Sequence, residues 1–147
     1  MGDTAALGAL AVAAVNALTG VYGAWRWWTV APSRLFWVLA RLGQGAAAAL
    51  AVLVGVLAVM GYAPSDGLFW LYALLPVAVS LVGEQFRIAS AVTVLEARGL
   101  EDARAVGRLD EDGQRSVVLA IVRREIGVAA LAAVVVAFLA LRAAGTA

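Results

Sequence analysis

At 147 residues the chain suits one domain, and its make-up of 64% hydrophobic and 14% charged residues lies far from the soluble average of about 25% charged. A soluble monomer has no means of hiding that much apolar surface, so the class is integral membrane and all-α. The absence of Cys, His and Lys excludes disulfides, thiolate or imidazole metal ligation, an imidazole base, a Walker A loop and a Schiff base. A formal net charge of +1 offers no basic face for nucleic acid, and nothing implies a cofactor.

Ala5–Ala24 begins a first span of about residues 5–25, long enough to cross a bilayer. A secretory signal wants a positive start, whereas Asp3 is the one charged side chain before Arg26, so a retained helix is expected. Asn16, Thr19, Gly20, Gly23 and Ala24 fall on one face at helical spacing, a stripe suited to close helix contact with Asn16 as an interhelical hydrogen bonder. Trp25, Trp27 and Trp28 surround Arg26 and read as an interfacial belt. Pro32 marks a turn, and Ser33 is placed to cap the next helix.

The second helix is predicted from about Arg34 to Met60, its span at 36–60. Gly43, Ala47, Ala51 and Gly55 recur every fourth position and predict a small-residue packing ridge. Arg41 and Gln44 put polar groups near its start. Gly61 to Gly67 is a turn rich in breakers, and Tyr62, Trp70 and Tyr72 around it read as a second aromatic belt.

From Leu68 the pattern shows no stop until Arg98, with Gly99 in the C′ position and Leu100 supplying the apolar contact that follows. Such a helix is about 46 Å long, against roughly 30 Å of hydrocarbon, so it must protrude or tilt beyond a span at 68–90. Pro76 predicts a kink. Residues 99–112 read as a short polar helix or loop, and Asp110, Glu111 and Asp112 as a helix start, with Glu111 and Arg115 in supportive i,i+4 order. The fourth helix is expected from Asp112 to Arg142, spanning at 120–142, with Ala129, Ala133 and Ala137 as a further ridge.

The fold class is therefore a four-transmembrane-helix bundle. Arginines flank the first and third connections, whereas the second connection and the N-terminus have none. Counting basic residues puts connections 26–35 and 98–116 in the cytoplasm, both termini outside, and the long third and fourth helices protruding on the cytoplasmic side. At that depth Arg41, Gln44, Ser80, Glu84, Gln85, Arg87, Arg124 and Glu125 form a predicted polar cluster. Ser80, Glu84 and Arg87 share a face; Glu84 pairs with Arg87 in its own helix, or with Arg41 or Arg124, leaving Arg87 for Glu125. Arg26 and Arg123 are expected at lipid headgroups, with Arg124 beside them.

Two roles fit that layer. One is structural: a membrane bundle that self-associates or joins a larger complex, its charges paired to fix helix register. The other is a small transporter or channel in which Glu84 binds an ion or proton. A lipid-acting enzyme comes third, because no catalytic motif or activated nucleophile is present.

Overall fold

In the computed structural model, residues 1–147 form six helices and no strand: α1 (Gly2–Thr29), α2 (Arg34–Val59), α3 (Leu68–Ile88), α4 (Ser90–Ala97), α5 (Ala103–Gly107) and α6 (Glu111–Ala144). Four of them, α1, α2, α3 and α6, are long and apolar enough to cross a membrane. They run up, down, up and down, each packed on two neighbours, and α6 lies between α1 and α3.

Helix ends follow from local chemistry. Ser33 takes extended backbone and its hydroxyl accepts from the amide of Phe36, starting α2. Asp102 and Asp110 do the same for α5 and α6 through the amides of Ala105 and Gly113. Gly99 has φ +66°, and the amides of Gly99 and Leu100 return to the carbonyls of Glu96 and Leu95, which is a Schellman close. The α2 end repeats it at Gly61 (φ +84°). The α1 end uses the same bonds with a valine, Val30, held at φ 48°.

Two expectations are corrected. The third helix is not one rod from Leu68 to Arg98: its register is interrupted at Ala89, between α3 and α4. The buried Ser90 follows it and donates its hydroxyl to the carbonyl of Phe86. Pro76 sits buried inside α3, and Ser80 donates to its carbonyl. Glu111 and Arg115 are not paired; the ion pairs of the chain all lie around Glu84 and Arg87.

The core is thin and made mostly of small side chains. Ala5, Ala9, Ala13, Ala47, Ala73, Ala133 and Ala140 are buried beside Val54, Val136 and Phe69. Close approach of α1 needs glycine: a Cβ on Gly20 would lie 2.6 Å from Val134, and one on Gly23 would lie 2.5 Å from the Phe36 ring and 2.7 Å from Ala130. Leu and Val side chains face outward on all four long helices, an arrangement that suits lipid contact.

The same packing sorts the loops. Ser65 donates to the carbonyls of Thr146 and Ala147, so the second connection and the C-terminus share one end. Gly2 reaches Tyr62 and Ala147 at that end. The connections after α1 and after α3 occupy the other, where Arg98 donates to Ser116 and ties α4 to α6.

Candidate functional site

Gly83 brings α3 against α6, where a Cβ would lie 2.8 Å from that of Ala132. The next residue, Glu84, is rotated by about 100° toward α2. Its Oε1 accepts from Arg41 Nη2 at 3.0 Å and from Arg87 Nη2 at 2.7 Å, and its Oε2 accepts from Arg87 Nε at 3.1 Å. Arg41 also donates Nη1 to Gln44 Oε1 at 2.7 Å. Arg87 Nη1 stands 3.8 Å from Glu125 Oε1 on α6, and its guanidinium lies 5.5 Å from the Trp37 ring centroid.

Two arginines and two glutamates thus link α2, α3 and α6 with no net charge. The Arg87–Glu84 contact is bidentate, the strongest geometry for this pair. Both of its side chains are about three-quarters covered (24% and 23% exposed), whereas Arg41 is 58% exposed. Arg41 therefore belongs to the rim of the cluster and Arg87 to its centre.

Beside the carboxylate is a cavity of about 20 Å³, lined by Asn16, Gln44, Ser80, Gly83, Glu84 and Arg87 together with α6 alanines. That is room for a single water molecule. Asn16 closes the α1 side: its Nδ2 donates to Val12 O at 3.0 Å and across to Gly43 O at 3.3 Å. A Cβ on Gly43 would collide with the Asn16 amide at 2.6 Å, so this interhelical bond depends on glycine.

Other residues singled out from sequence fall elsewhere. Gln85 is exposed, one helical step away from Glu84, and makes no side-chain hydrogen bond. Arg124 is exposed and belongs to none of the ion pairs. Arg26 folds back on its own turn, donating Nε to Ala31 O and Nη2 to Pro32 O, and stacks on Trp25. Arg123 lies over Trp27, 4.5 Å from the ring centroid.

The Gly43–Ala47–Ala51–Gly55 ridge does not act as one contact surface. Gly43 and Ala47 are buried, Ala51 is half-buried, and Gly55 is exposed with no protein atom near the place a methyl group would take. Four residues turn a helix by about 400°, so each step of the ridge drifts by about 40° and the far end has rotated away. The α6 ridge is short enough to escape this: Ala133 is buried at its centre, with Ala129 and Ala137 half-buried on either side.

Trp37 is a member of the cluster that the sequence reading passes over. Its signal is the spacing of four from Arg41, which puts both on the α2 face that meets α3.

A scan against protein-family models finds no match, and comparison with curated proteins and with solved structures likewise yields no similar protein.

Proposed function

We propose that this chain is a structural or accessory membrane subunit, a helical bundle whose polar layer fixes how its helices sit. The supporting observation is the saturation of Glu84: both carboxylate oxygens are held by guanidiniums from two helices, beside a cavity with room for one water. A carboxylate tied in this way sets helix rotation and depth. It is poorly disposed to bind and release a solute. By the basic-residue count the Arg-rich end faces the cytoplasm, with both termini outside.

Self-association or docking into a larger complex would use the outer face of α2. There Gly45 and Gly55 are exposed, with no protein atom within contact distance of an added Cβ. Small residues on a lipid-exposed face permit close helix–helix approach. The test is Gly45→Leu with Gly55→Leu in the full chain, read as oligomer or complex recovered from mild detergent. Because both positions are open, the fold tolerates the change, and recovery should fall at least several-fold. Unchanged recovery would remove the assembly role.

A second reading rests on the polar lining around Glu84, where Asn16, Gln44 and Ser80 border the same cavity. In it the chain is a small ion- or proton-coupled carrier, and Arg41 and Arg87 release Glu84 during the cycle. Glu84→Gln in proteoliposomes separates the two. Loss of cation or proton flux with a folded protein supports the carrier, whereas loss of stability without any flux to lose supports the structural subunit.

A further inference from the structure

Arg123 and Arg124 are adjacent and exposed, and neither is joined to an acidic side chain. Their neighbour Glu125 turns the other way, toward Arg87. Each arginine stands one helical turn before an apolar groove. Arg123 precedes Gly127 in a groove of about 410 Å³ between α1 and α6, whose walls include Gly20, Ala24 and Trp27. Arg124 precedes Val128 in a groove of about 450 Å³ between α3 and α6, flanked by Val82 and Phe86. Leu131 belongs to both and forms the ridge between them. Further along the α1–α6 seam a third groove of about 340 Å³ follows, bordered by Ala17, Phe138 and Leu141.

From these observations we infer a binding site for one anionic membrane phospholipid, its phosphate on Arg123 and Arg124 and its two acyl chains on either side of Leu131. Three features favour this occupant. The charge is right: two neighbouring cations have no acid of their own. Arginine also grips phosphate with a planar fork, and Arg123 is already oriented by its stacking on Trp27. The direction is right as well. Long side chains on a helix lean toward its N-terminus, which carries both guanidiniums out of the hydrocarbon toward the headgroups. Finally the depth fits: the two α1–α6 grooves from Gly127 to Leu141 cover about 21 Å of helix, more than the roughly 15 Å of one leaflet's hydrocarbon. Arg26 is not required, since its Nε and one Nη2 hydrogen serve the α1 turn.

Trp27 is a built-in reporter, because it forms part of the α1–α6 groove. The full chain is reconstituted in phosphatidylcholine vesicles carrying equal mole fractions of either bromoacyl phosphatidylglycerol or bromoacyl phosphatidylcholine. The Trp27 signal is the difference between wild type and Trp27→Phe. The anionic lipid should quench Trp27 more strongly, and Arg123→Gln with Arg124→Gln should abolish the preference, by roughly fivefold in relative binding constant per arginine. Arg104→Gln with Arg108→Gln, which removes as much charge from the same end of the bundle, should retain it. Ala24→Phe fills the groove with the arginines in place and should lower quenching by both lipids. Equal quenching of wild type by the two lipids, a preference that survives the double glutamine change, equal loss in the control pair, or no effect of Ala24→Phe would each overturn the site.

Discussion

Adding one methyl group to Gly23 tests how tightly α1 is drawn into the bundle. The new Cβ would stand 2.5 Å from the Phe36 ring and 2.7 Å from the Ala130 Cβ. Neither neighbour has room to yield: Phe36 is fully buried, and the Ala130 methyl is fixed to the α6 backbone. Overpacking of this kind costs about 1–3 kcal/mol, while the helix gains up to about 1 kcal/mol from replacing glycine. Gly23→Ala should therefore destabilise the protein by about 1–2 kcal/mol. Gly55→Ala, measured in micelles dilute enough to keep the chain monomeric, is the matched control: nothing of its own chain lies near its Cβ, only the propensity gain remains, and the change should be neutral or stabilising by up to about 1 kcal/mol. Reversible unfolding in mixed micelles, followed by tryptophan fluorescence, gives both values. Shifts of the same sign and size at the two positions would refute the close approach of α1 to α2 and α6.

Val30 is the one residue other than glycine at positive φ, 48°, and a β-branched side chain there is strained by about 1–2 kcal/mol. Val30→Gly should raise the unfolding midpoint by about 1 kcal/mol of stability, less what its half-buried side chain contributes, and Val30→Ala should not; equal effects of the two would mean that the turn is not left-handed. The Tyr62 hydroxyl is buried without a hydrogen-bond partner in the protein, while its ring packs edge-on against Phe69 and Trp70. Because an unpaired buried hydroxyl costs about 1–3 kcal/mol, Tyr62→Phe should be neutral or stabilising by the same micelle assay, and a loss above about 1 kcal/mol would contradict this packing.

How far the sequence reveals this arrangement depends on the range of each signal. Ser33, Gly99 and the acids before α6 act within one turn of their own position, and a local rule is enough to place them. Four apolar stretches of spanning length are likewise plain. The break at Ala89 is not, because alanine carries no stop signal. Helix rotation is harder to read. Whether Arg41 or Arg124 meets Glu84 depends on which face each helix turns inward, which the whole bundle decides. The α2 ridge misleads for a related reason: a four-residue repeat looks continuous on paper, yet it precesses until Gly55 points away from the protein. Gln85 is different, since the 100° step between neighbours already argues against its sharing a face with Glu84.

If the polar layer holds the helices together, the direct measurement is a pair of double-mutant cycles across helices, Arg41 with Glu84 (α2–α3) and Arg87 with Glu125 (α3–α6), with the Glu84–Arg87 pair inside α3 as the comparison. Stability is measured by micelle unfolding for Arg41→Ala, Glu84→Ala, Arg87→Ala, Glu125→Ala and the three pairs. The bidentate, largely covered contact within α3 predicts a Glu84–Arg87 coupling of about 1.5–3 kcal/mol. The two contacts between helices, at 3.0 and 3.8 Å, predict about 0.3–1 kcal/mol each. Couplings near zero in both cycles between helices, whatever the value within α3, would show that the layer does not lock the bundle.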